Sequence, residues 1–421
     1  SDVIALIEAI GNVTRDSGEA IEAARAAYDS LSAEEQAKVT NYNALMKAEQ
    51  EYALLRSDIA AIEEVYEETG DRLSALGVPE VGSVGGEWLV IGLARSGREV
   101  ADEYYDNVVE FVRENINDKE QLDKNKSTEN SRIILALTAL GYDATDVDGH
   151  NLLEGLTDMG YLTRQGINGP NMALIAFDSG NYEIPQSTER TGQLTREMLI
   201  DYILRTRLSD GGWALTGTTS DADMTAMALS ALAPYYDSNS EVKAAVDEAI
   251  VCLSDMQLST GEYMSGSVAT AESCAQVIDA LTALGIDPAT DSRFIKNGVS
   301  VLDALMSFAV DGGGFRHTQD GDYDQMATEQ GYCALTAYAR FLGGQTSLYD
   351  MSDVKDDPIY SQDPADDNRD DPAGQETAED TGASSETVKT GDQNDLAMLW
   401  VICGLGAAGT VFAAYIRKKE N

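Results

Sequence analysis

The sequence is poor in positive charge: 29 lysines and arginines stand against 73 aspartates and glutamates, for a formal net charge of -44 over 421 residues. That balance excludes nucleic acid as a partner, because binding to phosphates needs Lys and Arg to displace condensed counterions. Histidine is scarcer still. His150 and His317 are the only two, both in expected loops, so a histidine-based nucleophilic centre has no local signature. The four cysteines, Cys252, Cys274, Cys333 and Cys403, stand far apart with no CxxC pair. They point to neither a zinc site nor a disulfide framework and read as packed thiols. Cys252 and Cys274 fall at similar heights on the arms of an expected helical hairpin, the one pair that an oxidising exterior would allow to bond. The chain opens at Ser1 with neither an initiator methionine nor an apolar signal core, so a signal peptide is expected to have been removed or to lie upstream.

What is present begins with one long uncharged run. No charged residue occurs between Leu396 and Ile416, and at about 1.5 Å per residue such a helix matches a bilayer core of about 30 Å. Arg417, Lys418 and Lys419 follow at once, and the positive-inside rule puts that tail, 417–421, in the cytoplasm with everything before the span outside. Upstream, the order of Thr390-Gly391, apolar span and short basic tail resembles the cell-wall sorting signal of Gram-positive surface proteins. That pattern begins Leu-Pro, where Thr387 and Val388 stand here, so two outcomes stay open: transfer to peptidoglycan, or a retained membrane anchor at 396–416. Both place the protein on the outer surface of a bacterial cell. Residues 345–395 are rich in Asp, Glu, Pro, Ser and Gly and bury too little apolar surface to offset the entropy of folding, so they read as a disordered, self-repelling acidic stalk.

At the other end, 1–56 carries apolar residues at helical spacing in three segments, Val3 to Ile10, Ala20 to Leu31 and Tyr42 to Leu55, with a helical link from Glu34 to Val39. This is a small helical bundle. Its stretches Ala27-Tyr28-Asp29-Ser30-Leu31-Ser32 and Val39-Thr40-Asn41-Tyr42 resemble the spacer modules of Gram-positive surface proteins, and no residue pair in it suggests chemistry.

Between these parts, 57–344 holds an internal repeat. Ala136-Leu137-Thr138-Ala139-Leu140-Gly141 recurs as Ala280-Leu281-Thr282-Ala283-Leu284-Gly285. Looser copies combine a Gly-rich turn, an aromatic, a polar cap and an apolar helix: Gly85 to Gly97, Thr128 to Gly141, Gly169 to Ser179, Ser220 to Tyr236, Thr270 to Gly285 and Thr328 to Gly344. Amphipathic partners with a single apolar stripe lie between them, at Asp102 to Asn115, Leu194 to Thr206, Val242 to Met256 and Val299 to Phe308. Six such pairs predict an all-α fold, an (α/α)6 toroid preceded by a small helical bundle and followed by a disordered acidic stalk and one transmembrane helix.

The units Asp210-Gly211-Gly212-Trp213 before Ser220-Asp221-Ala222-Asp223-Met224-Thr225-Ala226, and Asp311-Gly312-Gly313-Gly314-Phe315 before Glu329-Gln330-Gly331-Tyr332-Cys333, resemble the repeats of the prenyltransferase and squalene-cyclase superfamily. The resemblance implies the same toroid, a fold that serves both enzymes and binders. In class II terpene cyclases an Asp-x-Asp-Asp-Thr-Ala motif protonates an alkene or epoxide. Asp221, Asp223, Thr225 and Ala226 match it, Met224 replaces the last aspartate, and by position Asp223 would be the proton donor. The plainer reading is that Asp221 or Asp223 caps an inner helix, where a carboxylate accepts backbone N–H bonds. Cyclases also need aromatic faces worth roughly 0.5 to 2 kcal/mol each against a carbocation, and the toroid offers few. The zinc ligands of protein prenyltransferases are missing. Asp320, Asp322 and Asp324 begin a calcium-loop spacing that does not continue. No metal and no cofactor is therefore expected.

The leading reading is a surface-anchored, non-catalytic binding protein whose funnel takes a small-molecule or cell-surface ligand. Trp88, Trp213, Tyr263, Glu272, Phe315, Glu329 and Tyr332 are expected to line the funnel mouth with Asp221 and Asp223. The alternatives are a cyclase-type enzyme with Asp223 as general acid, assisted by Asp221, and a corrinoid-binding domain like the helical half of cobalamin carriers.

Overall fold

The computed structural model describes residues 2–14, 17–186 and 192–354. Within them the chain is mostly helical, and its strands are three short antiparallel pairs. Two compact units are present, the first ending at Glu68 and the second beginning at Thr69.

The first unit contains α1 (Asp2–Ile10), α2 (Gly18–Asp29), α3 (Ala33–Gln36) and the first turns of α4 (Tyr42–Ser74). Val3, Ile7 and Ile10 follow the i, i+4, i+7 spacing and bury one face of α1 against Ile21, Ala24, Leu45 and Ala48. Ser32 and Glu35 form a capping box that starts α3. The Arg25 guanidinium grips Glu49 through two bonds of 2.6 and 2.5 Å, and the Tyr28 and Tyr42 rings stack beside it.

The second unit continues with α5 (Trp88–Arg95), α6 (Glu103–Asn115), α7 (Thr128–Leu140), α8 (Met159–Leu162), α9 (Asn168–Ser179), α10 (Arg196–Thr206), α11 (Ala222–Leu232) and α12 (Ser240–Met256). The hairpin β1 (Met264–Ser265) and β2 (Val268–Ala269) precedes α13 (Ala271–Ala283), β3 (Ile295–Lys296) and β4 (Val299–Ser300) precede α14 (Val301–Met306), and β5 (Phe315–Arg316) and β6 (Tyr323–Asp324) precede α15 (Gln325–Leu342). Each of α5, α7, α9, α11, α13 and α15 packs on the next, and α15 returns to α5. That closure makes an α/α toroid. The inner helices α7, α9, α11 and α13 are buried on nearly every side. The outer ones bury a stripe, as α6 does with Tyr104, Val108 and Val112.

Helix starts and stops follow the local chemistry. Asp221, Thr270 and Asp324 cap α11, α13 and α15 by accepting the N–H of the residue three positions on. The repeated motif ends twice on a glycine with positive φ, Gly141 at 81° and Gly285 at 71°, a conformation that lets the orphan carbonyls at a helix end find donors. In both copies the threonine hydroxyl bonds back one turn, Thr138 to the Ile134 carbonyl and Thr282 to the Ile278 carbonyl.

The starts of neighbouring inner helices touch, as Glu87 does Arg132 and Gly85 does Glu329, and so do their ends, as Arg340 does Arg95; the end with the N-termini is here called the mouth and the other the base. The stretch from Thr346 to Val354, which the sequence places in the stalk, lies across the base as a strap. Arg95 donates to the carbonyls of Ser347, Leu348 and Asp350 and to Thr346 and Asp353. Arg340 reaches Thr346 and Asp353 as well, and the Met351 N–H bonds the Ser179 carbonyl at the end of α9. Hydrogen bonding to two arginines, together with the burial of Leu348 and Met351, holds this acidic segment. The rest of the expected stalk, Thr390, Gly391 and the span 396–416 lie outside the described residues. Among the described residues no helix is long and apolar enough to cross a membrane.

Candidate functional site

The aromatic residues expected around the mouth are held inside the wall. Trp213, Tyr263, Phe315 and Tyr332 are fully buried and Trp88 is 3% exposed. The Trp213 indole donates to the Ile203 carbonyl of α10 at 2.7 Å, and the Tyr263 hydroxyl to the Leu253 carbonyl of α12 at 3.1 Å. These rings therefore tie inner to outer helices. Their backbones do repeated work too: Trp213 N–H donates to Thr225 Oγ1 at 3.0 Å, and Phe315 N–H to Thr328 Oγ1 at 2.9 Å. Tyr332 closes the ring from α15 by bonding the Ser96 hydroxyl.

The acids remain at the mouth. Asp221 is a cap, accepting from Met224 N–H at 2.7 Å. Asp223 is not: its carboxylate, 4% exposed, accepts from the hydroxyls of Ser265 in the β1 hairpin and Ser273 on α13. Burial, reinforced by the charges of Asp221 and Glu272, pushes Asp223 up to about 7. Burial likewise raises Glu272, against the pull of His317, whose Nδ1 lies 2.8 Å from the carboxylate. Glu329 accepts from Gly85 N–H and the Gln325 amide yet is fully buried and rises to about 7. Glu87 accepts from Gly82 N–H and pairs with Arg132 at 3.2 Å, and burial still carries it to about 7.

Several polar atoms at this end have no partner in the protein. They are the Asn168 carbonyl oxygen, both amide atoms of Asn171, Glu329 Oε2 and Trp88 Nε1. Ile175 and Asp178 on α9 line a cavity at the base, and Asn168 and Asn171 lie seven residues before them, on the same helix face. On α15, Glu329 shares a face with Thr336 and Arg340, the latter gripping the strap. In the order of the ring, α9 and α15 stand opposite each other. The two sets of unsatisfied atoms thus stand on inner helices opposite each other in the ring order, and each such atom costs about 1–3 kcal/mol unless something bonds it.

The site includes groups that sequence reasoning missed: His317, Arg132, Asn168, Asn171, Ser265 and Ser273. His317 lies 45 positions from Glu272 and reaches it only through the β5 hairpin; Asn168 and Asn171 stand in the first turn of α9 before an apolar run, and that pair of amides was the one available signal. Among the described residues no group of three or more His, Cys, Asp or Glu side chains could hold a metal ion. Asp324 of the calcium-like run is occupied as a helix cap. The thiols of Cys252, Cys274 and Cys333 are buried and free.

No protein-family model matches the chain. No curated protein matches it either. Among solved structures it is similar to ent-copalyl diphosphate synthase from Streptomyces platensis, at 20% identity and a TM-score of 0.39, over 61% of this chain and 50% of that one. The match thus spans about half of that enzyme's length. It is also similar to the unsaturated glucuronyl hydrolase of Bacillus sp. GL1, described as responsible for the degradation of glycosaminoglycan, at 14% identity and a TM-score of 0.44, over 69% and 98% of the two chains. Both are enzymes. At these values neither likeness carries an activity to this chain, and the toroid is established by its own closed ring of inner helices.

Proposed function

We propose that the protein is a surface-displayed binding module that takes a small polar or cationic ligand in the acidic end of its toroid. The observation that carries this reading is the pair of unsatisfied polar sets on opposite walls, Asn168 and Asn171 on α9 and Glu329 on α15. A ligand with several hydrogen-bonding groups would satisfy them, and the surrounding carboxyls disfavour an anion. Display outside a bacterial cell, with the span 396–416 as anchor and 417–421 as cytoplasmic tail, belongs to the same proposal and rests on the sequence. Sorting at Thr390-Gly391 would transfer the protein to peptidoglycan.

A second reading is favoured by one specific feature. Asp223 spends none of its oxygens on capping and is held near neutrality by burial, as a general acid of the cyclase type requires. Against it, the buried rings of Trp88, Trp213 and Phe315 present no free face to a carbocation. Native mass spectrometry of the chain, exposed to fractions containing isoprenoids, corrinoids and cell-wall fragments, separates the two. A ligand retained unchanged by the wild type and lost in Asn171→Leu supports binding. A ligand converted by the wild type but not by Asp223→Asn makes the protein an enzyme, and no retention in any fraction sinks both.

A further inference from the structure

The base of the toroid holds a separate cavity of about 540 Å³, within the 300–1,000 Å³ range typical of small-molecule sites. Ile175 of α9, Ala231 and Pro234 at the exit of α11 and Ala283 of α13 form its apolar walls, and Tyr349 of the strap closes it. Its ionic groups are already matched to each other. Arg196 Nε lies 2.6 Å from Asp178 Oδ1, its other bonds go to the carbonyls of Phe177 and Tyr182, and the Tyr235 hydroxyl takes Asp178 Oδ2 at 2.8 Å. No cation is left for an anionic ligand, and Asp350, the carboxylate at the exposed rim, repels anions and lies away from the apolar walls, accepting from the Ser352 N–H and hydroxyl.

One turn before Ala283 on the same face of α13 stands Asp279. It is 4% exposed and its Oδ1 has no partner in the protein. No basic group faces it; Tyr349 from the strap and Cys333 from α15 are its titratable neighbours. Burial alone pushes the carboxyl far up, which favours the neutral acid, with an O–H to donate. An unsatisfied donor one turn from the apolar wall of a cavity is a specificity element, because a ligand lacking the matching acceptor leaves it unpaired.

We infer that the base cavity is a second ligand site, which takes an uncharged and largely apolar molecule whose one hydroxyl or carbonyl oxygen is bound by Asp279 beside Tyr349. The site is independent of the acidic mouth and stands or falls without it.

The test is photo-crosslinking of the full chain with decanol carrying a chain diazirine, against decanoic acid and decylamine carrying the same group. The alcohol is expected to label peptides bearing Ile175, Pro234 or Tyr349, with the two ionic probes about tenfold weaker. Asp279→Leu should lower alcohol labelling about tenfold, the equivalent of one lost hydrogen bond of about 1.4 kcal/mol. Asp279→Asn, which still donates an N–H, should retain it, and Asn171→Leu at the mouth should leave it unchanged. Equal labelling by the ionic probes, labelling confined to mouth peptides, or undiminished labelling of Asp279→Leu would overturn the inference. If Asp279→Leu does not fold, the head-group comparison on the wild type decides alone.

Discussion

Replacing Asp223 by Asn should change the stability of the toroid in a pH-dependent way that can be worked out beforehand. The folded-state pKa, about 7, lies above the ordinary 3.8. The protonated carboxyl therefore favours the folded state, fully in acid, and that contribution is lost as pH rises through 7. Well below pH 3.8 both states are protonated; between 3.8 and about 7 the unfolded chain releases its proton while the folded one keeps it, and by pH 8 both have released it. At about 1.4 kcal/mol per unit, the wild type should lose about 3 kcal/mol through this one group between pH 5 and pH 8. Asn cannot ionise and keeps a carbonyl oxygen for the Ser265 hydroxyl, 3.3 Å away in the wild type. Urea unfolding followed by the fluorescence of buried Trp88 and Trp213 at pH 5, 6, 7 and 8 provides the comparison. The variant is expected to be no more stable than wild type at pH 5 and to gain about 3 kcal/mol on it by pH 8. Glu87 and Glu329 titrate in both proteins and cancel in the difference. A difference that stays constant to within about 1 kcal/mol across this range would refute the burial argument for Asp223.

Three further outcomes test the architecture. Trp213→Ala should cost about 3–5 kcal/mol, as expected for emptying a fully buried indole site, and a loss below about 1 kcal/mol would return the ring to the list of ligand contacts. Arg95→Ala leaves the strap carbonyls without their donors, so chymotrypsin should cut at Tyr349 much faster than in the wild type; unchanged protection would show that Arg340 suffices. At Asp353, burial opposes the charge, but the hydrogen bonds of Arg95 and Arg340 outweigh it and hold the pKa down to about 2. Because that value is depressed, its contribution is present above pH 4 and lost as pH falls towards 2. Asp353→Asn should therefore destabilise the protein at pH 6 and converge with the wild type near pH 2 in acid unfolding.

The helical ring was legible in the sequence because its signals are local. The duplicated Ala-Leu-Thr-Ala-Leu-Gly copies mark inner helices and their stops, and the polar residue before each helix marks its start, as Asp221 and Thr270 do. The direction of the aromatic rings was not legible. A ring after a Gly-rich turn can enter the lumen or the wall, and what decides is a carbonyl on an outer helix, Ile203 for Trp213 and Leu253 for Tyr263. Nor was the strap. Its composition is that of a solvated tail, and it folds because Arg95 and Arg340, 245 positions apart in the chain, converge on it while Leu348 and Met351 are buried. The Glu272–His317 contact escaped for the same reason, since only the toroid brings the β5–β6 loop onto the first turn of α13.

The placement of charge along the ring follows from the helices themselves. Six inner helices pointing the same way sum their dipoles, positive at the mouth and negative at the base. Acids collect at the mouth, where Asp223 and Glu272 lie in first turns. Arginines collect at the base, where Arg95 and Arg340 lie in the last turns of α5 and α15. The dipole favours the charged form of both sets, yet the outcomes differ. At the base, each arginine is surrounded by carbonyl and carboxylate acceptors from the strap, so its charge is matched by hydrogen bonds. At the mouth, burial outweighs the helix ends, and Asp223, Glu87 and Glu329 sit near pH 7, Glu329 with one oxygen that the protein leaves unbonded. Acids kept at that balance gain or lose a proton at little cost, and a ligand that brings a donor would pull them to the charged form. Binding of such a ligand at the mouth should therefore release protons between pH 6 and 8. Calorimetric binding enthalpies measured in buffers of different ionisation heat would detect that release, and enthalpies independent of buffer would show that the acids remain protonated and act only as donors.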